Sequence, residues 1–173
     1  MKRKSKRRKR KVLFVILIIG YLIPQNLKMP VDGADQNDYN PESFWYYPWG
    51  KSIVHHGVDI FASDGTTIRP ATAGVVIFKG NFGIGGNTVV VLGPKWRWHY
   101  YAHLKEINTH WLAPVGKVSD IGTVGTSGNA AGKPPHLHYS IFTPIPYPWR
   151  WDGDRLGWQK MFFLNPIDYL NEN

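Results

Sequence analysis

The chain has 173 residues, 43% of them apolar, which suits one domain with a core of its own plus an appended segment. Nine of its 21 basic residues lie between Lys2 and Lys11, and the remaining 12 balance 12 acidic residues, so the net charge of +9 belongs to the tip of the chain. A neutral body with a basic tip does not read as a nucleic-acid surface, and with no cysteine any transition metal must be held by His, Asp or Glu.

Residues 1–11 form the basic tip, expected on the cytoplasmic side. Val12 to Ile23 is an apolar run closed by Pro24. As a helix it spans ~18 Å, short of the ~30 Å hydrocarbon core of a bilayer, which by length suits the core of a signal peptide. No small-x-small cleavage site follows it, so residues 12–27 are expected to be an uncleaved signal-anchor helix in the cytoplasmic membrane, with secretion after cleavage as the alternative. Residues 28–43, rich in Pro, Asn, Asp and Gly, read as a linker, and residues 44–173 as the folded domain.

The aromatic cluster Phe44 to Trp49 opens that domain, with packing favoured over a groove-lining role. Strands are expected over Ala73–Phe78, Thr88–Leu92, Trp96–Tyr101 and His138–Phe142, with a short helix near Pro166–Leu170. Many short β-branched and aromatic runs between Gly and Pro turns predict a mainly β fold, a single antiparallel sheet or sandwich. Ser127 to Pro134 lacks the first Gly and the final hydroxyl of a phosphate-binding loop, and Gly80 to Gly86 lacks dinucleotide spacing; both read as turns.

Three histidine-bearing segments carry the chemistry. His136 and His138 are two apart on a strand, so both face one side while Leu137 faces the core. His55 and Asp59 would lie ~13 Å apart if extended, too far for one cation, and Gly57 between them is expected to permit the bend that joins them. His103 follows an aromatic strand and can project over a sheet face. A catalytic metal needs about three protein ligands and neighbours that move protons, and these five residues supply that set. His56, His99 and His110 do not fit the pattern and are expected to be structural.

His55-x-Gly57-x-Asp59, Tyr101-Ala102-His103 and His136-x-His138 resemble the three motifs of the lysostaphin-type, LytM-domain zinc metallopeptidases, which cut peptidoglycan peptides. Pro70 to Val76, Gly86-Asn87 and Gly116 to Gly125 also resemble that family's core, so the likeness covers about residues 54–141. It implies a LytM-like fold of the duplicated-hybrid-motif type, one zinc ion on His55, Asp59 and His138, and His103 and His136 as the catalytic pair. It further implies a peptidoglycan-peptide substrate, cleaved in cross-links or stem peptides, and a place in the bacterial envelope outside the cytoplasmic membrane. A catalytically silent wall-binding or amidase-activating module of the same fold is the alternative. A D,D-bond is the preferred target. The segment Gly128–Pro135 is longer than the family's usual turn, and Pro144 to Trp158 has no counterpart in the pattern; a packing cover for the sheet edge is the favoured role of that tail.

Overall fold

The structure, a computed structural model, describes residues 2–171, with side chains from residue 6 onward. It opens with helix α1 (Lys2–Leu22), which unites the basic run and the apolar run in one element. Among the described residues no helix is long and apolar enough to cross a membrane.

The folded body is one antiparallel nine-stranded sheet. Its strands are β1 (Val58–Phe61), β2 (Thr67–Ile68), β3 (Gly74–Asn81), β4 (Asn87–Leu92), β5 (Trp98–Ile107), β6 (Pro114–Val115), β7 (Gly122–Val124), β8 (His136–Phe142) and β9 (Phe163–Leu164), followed by helix α2 (Pro166–Leu170). The main order is β1-β8-β5-β4-β3-β6, with β2 paired to β7, β7 to β5 and β9 to β8. β8 and β5 are therefore central, and both carry the histidines.

Alternation along these two strands builds the core from one face and the site from the other. Tyr101, Leu137, Tyr139 and Ile141 are fully buried, while Trp98, Tyr100, Ala102, His138, Ser140 and Phe142 line the opposite, concave face. Tyr101 is 5.2 Å from Tyr139 ring to ring, and its hydroxyl accepts the Ala71 amide at 2.9 Å. His99 is fully buried beside them: its Nδ1 meets the Tyr139 hydroxyl at 2.7 Å and its Nε2 meets the Gln25 amide at 2.9 Å. This is the structural role expected of His99.

Residues 12–27 are not one helix. α1 ends at Leu22, Gln25 also accepts a hydrogen bond from Arg97, and Leu27 lies in the core. Residues 28–43 are not a free linker either. Val31 and Tyr39 are buried, Val31 bridges Ile68, and the Lys28 and Asp32 amides bond the carbonyls of Ala71 and Thr67 at 2.9 and 3.0 Å. Their apolar residues are too widely spaced to show a period, yet each finds a place at the sheet edge. The last turn of α1 also touches the body. The Trp96 indole covers Gly20, where a Cβ would come within 2.3 Å of the ring, and its Nε1 donates to the Leu17 carbonyl at 2.8 Å.

The expected strand at Trp96–Tyr101 begins at Trp98 and runs on to Ile107; Pro94–Trp96 is a tight turn. The tail after Ile141 leaves the sheet and returns as β9, with the amides of Thr143 and Tyr147 bonded to the carbonyls of Phe162 and Met161 at 2.8 and 2.9 Å. β9 pairs with Ile141 and Phe142, beyond the reach of β1, so the tail does cover an edge.

Candidate metal centre

β1 and β8 bring the first two motifs together, because Asp59 pairs directly with His138 across the ladder. His55 sits just before β1. Its Nε2 is 3.1 Å from Asp59 Oδ1 and 3.1 Å from His138 Nδ1, and His138 Nδ1 is 2.8 Å from Asp59 Oδ1. Gly57 lies at a bend, as expected, and is needed for close approach as well: a Cβ would stand 2.3 Å from the Tyr139 carbonyl oxygen and 2.5 Å from Ser140 Oγ. With any side chain β1 would be pushed off β8 and the triangle opened.

The tautomers are set from outside the triangle. His55 Nδ1–H donates to the Ser43 carbonyl at 2.9 Å, which leaves Nε2 as a lone pair facing inward. His138 Nε2–H donates to Ser140 Oγ at 3.1 Å, and Ser140 in turn donates to the His56 carbonyl at 2.8 Å, which leaves His138 Nδ1 facing inward. Two imidazole lone pairs and a carboxylate oxygen thus converge at 2.8–3.1 Å. Such a set repels itself unless a cation or proton lies between. Zinc bonds of 2.0–2.1 Å in a tetrahedron put ligand atoms ~3.3 Å apart, so this triangle closes around an ion of that size with a shift of a few tenths of an ångström. Among the described residues, His55, Asp59 and His138 form the group able to hold a metal.

Electrostatics agree with that donor set. Burial pushes the Asp59 carboxyl up, but in the metal-free protein a proton shared with the inward nitrogens of His138 and His55, where a cation would otherwise lie, outweighs it and holds the group ionised, well below the usual carboxylate range. Burial lowers the pKa of His138, so it is neutral and available as a ligand near pH 7.

His103 reaches the site through a bulge. Val89 of β4 pairs with Tyr101 and Asn87 with Leu104, so β5 carries one extra residue there. His103 takes it up at φ +66, a conformation that costs a non-glycine residue ~1 kcal/mol or more, and the result is that Ala102 and His103 both face the concave side. Its Nδ1–H donates to the Ser127 carbonyl at 2.9 Å, leaving Nε2 free. Burial, and next the neighbouring His138, push its pKa down to about 4. His136 is buried with its Nδ1 at 2.8 Å from the Pro134 carbonyl; its ring lies 5.0 Å from His103 and its Nε2 lies 3.9 Å from Asp59 Oδ2. The structure thus gathers all five residues singled out from the sequence.

Three contributors were not legible beforehand. Ser140 holds His138; strand spacing, two residues on from His138, was its only signal. Trp49 stacks on His55 at 4.1 Å and 25° and lines the cavity, so the aromatic cluster divides between groove and packing. His56 also lines the cavity, bonded to Gln159 Oε1 at 2.7 Å. His110 is exposed and away from the cavity. The cavity itself holds about 730 Å³ and opens along His55, His103 and His138.

A concave β-sheet with a partly buried His-Asp-His group able to hold a metal, and two further imidazoles, defines a protein of the hydrolytic metal-site class. The sequence model of peptidase family M23 matches residues 53–146, and the chain belongs to that family, the lysostaphin-type peptidases. It is 35% identical over 146 residues to the L-Ala--D-Glu endopeptidase of Bacillus subtilis, an alignment covering 72% of this chain and 44% of that protein. The chain therefore spans less than half the length of that relative. The catalytic domain of lysostaphin from Staphylococcus simulans superposes with a TM-score of 0.60 at 24% identity, covering 78% of this chain and 94% of that one. A chain of the SpoIIQ-SpoIIIAH pore forming complex superposes with a TM-score of 0.61 at 16% identity, covering 84% and 91%. The last two comparisons establish the fold alone.

Proposed function

We propose that the protein is a zinc-dependent endopeptidase that hydrolyses peptide bonds in peptidoglycan cross-links or stem peptides. The observation that carries this reading is the convergence of His55, Asp59 and His138 within 2.8–3.1 Å of one another beside an open cavity, with His103 in the cavity lining and His136 next to it, 5.0 Å away ring to ring. His55 and His138 would hold zinc through Nε2 and Nδ1, and Asp59 through a carboxylate oxygen. Zinc supplies Lewis acidity and lowers the pKa of water at such a site.

The remaining work falls to this chain's own groups. His103 and His136 each commit Nδ1–H to a carbonyl, so each presents a basic Nε2. One takes the proton as water attacks the scissile carbonyl, and in its protonated form can donate to the developing oxyanion or the leaving amine. The depressed pKa of His103 keeps it in the unprotonated, proton-accepting form near neutral pH. Purified protein should bind one zinc ion. His138→Ala should lose both the metal and the cleavage of muropeptides, and His103→Ala and His136→Ala should keep the metal and lose cleavage. Mass spectrometry of the digests identifies the bond. A protein that binds zinc and leaves muropeptides intact favours the silent-module reading.

α1 is the element that suits placement in the envelope. Its basic half precedes an apolar half whose side chains from Val12 to Ile19 are exposed, while its last turn, at Gly20 and Tyr21, meets the body. We read it as the export and membrane-association signal, with the body outside the cytoplasmic membrane. Membrane fractionation with and without residues 1–22 tests this: the intact chain should sediment with membranes and the truncated one should not.

A further inference from the structure

The cavity beside the metal triangle has an unusual chemistry for a peptidase of wall peptides, whose D-glutamyl and diamino-acid residues carry free charges. Away from the three metal-site residues its surface is built from Trp49, Phe78, Phe82, Trp98, Phe142 and Phe163 with aliphatic side chains between them. Among the described residues its only titratable group besides histidine is the Tyr100 phenol, and no Lys, Arg, Asp or Glu lines it. The aromatic wall is continuous: Trp98 lies 5.4 Å from Phe142, and Phe142 lies 5.5 Å from Phe163. Phe163 arrives through β9, so the tail that the family motifs leave unexplained supplies one side of this wall.

Three nearby cations are already committed, while Lys51 and Lys79, exposed next to the lining residues Ser52 and Phe78, do not themselves line the cavity. Lys160, over the Trp45 ring, is bonded to both Asp152 and Asp154. Arg155 lies over Tyr47, and Arg97 is buried on the far side with Gln25 and Tyr147. The polar groups left to the cavity are uncharged. Ser140 is spent on His138 and His56, and the Tyr100 hydroxyl stands over Gly85, where even a Cβ would come within 2.0 Å of it. An unpaired carboxylate moved from water onto such a wall loses hydration that the neutral Asn129 amide and Tyr100 hydroxyl replace only in part, whereas methyl groups and carboxamides do not suffer that loss.

Resting on the peptidase reading above, we propose that this wall selects wall peptides whose segment beside the scissile bond is uncharged: alanyl residues, and glutamyl residues in the amidated, isoglutaminyl form. The selection comes from the aromatic wall and from the lack of a cationic partner on it. Peptides bearing the free glutamyl carboxylate are disfavoured at the same site.

The test uses the full chain, loaded with zinc, and two cross-linked muropeptides identical except for the D-glutamyl α-carboxylate or α-carboxamide. The amidated substrate should show kcat/KM at least tenfold higher. Tryptophan fluorescence of the metal-free protein, in which Trp49 and Trp98 report the cavity, should show tighter binding of the amidated peptide by a similar factor. Phe82→Lys, at an exposed rim position, should cut the preference to within about threefold by supplying a partner. Equal rates and equal binding of the two peptides, or a preference that Phe82→Lys leaves untouched, would overturn the selection while leaving the peptidase reading intact. Cleavage of neither peptide would refute the peptidase reading and the selection with it.

Discussion

Ser140→Ala is the most discriminating single change outside the metal triangle. Ser140 Oγ accepts His138 Nε2–H at 3.1 Å and donates to the His56 carbonyl at 2.8 Å, so it fixes which ring nitrogen of His138 faces the metal and ties the two ligand-bearing segments together. Alanine removes that acceptor and leaves both tautomers and a wider range of ring rotations open. Loss of such a partner costs ~10–100-fold in metal affinity, equivalent to ~1.4–2.8 kcal/mol. It also strips the partner from a carbonyl at a site where Ser140 is buried, a further cost to folding of ~1 kcal/mol. The assay is zinc competition against a chromophoric chelator, with a thermal melt of the metal-free protein run beside it. The expected result is a zinc affinity at least tenfold weaker with a melt lowered by only a few degrees. Ser140→Thr, which keeps the hydroxyl on the cavity side, should recover most of the affinity. A zinc affinity within twofold of the parent would show that the packing of β8, not Ser140, orients His138.

Gly57→Ala should destabilise the fold by ~1–3 kcal/mol in urea unfolding and weaken metal binding, since the new Cβ meets the backbone oxygen of Tyr139 rather than a movable side chain. Trp49→Ala should weaken zinc binding less than Ser140→Ala, because stacking on His55 restricts the ring without setting its tautomer. For pH, burial and then Arg97 push the pKa of His99 down to about 3 from 6.5. The unfolded chain therefore binds a proton that the native chain refuses, and the stability of the metal-free protein should rise with pH from about 3 to about 6.5 and then level off. Replacing His99 by Gln should flatten that slope in denaturant titrations at successive pH values; an unchanged slope assigns it to other groups.

The five site residues were legible in the sequence because each sits in a short motif whose chemistry is local. His136-x-His138 on a strand must face one side, and the Tyr101-Ala102-His103 motif carries its own strand signal. The β-branched runs around residues 74–92 likewise declared themselves by composition, and so did the short helix at Pro166–Leu170. What remained hidden depends on contacts between segments distant in the chain. Val31 and Tyr39 look like linker residues and Leu27 like the end of the apolar segment, since isolated apolar side chains reveal burial only once the sheet edge they cover exists. Gly57 announced a bend, but only the register of β1 against β8 showed that it also serves close approach. Ser140 and the aromatic wall are of the same kind. The sequence by itself determined which groups could hold a metal and move protons. The tertiary structure alone decided which nitrogen of each imidazole faces inward and what the neighbouring cavity can accommodate, because both follow from hydrogen bonds and packing across strands.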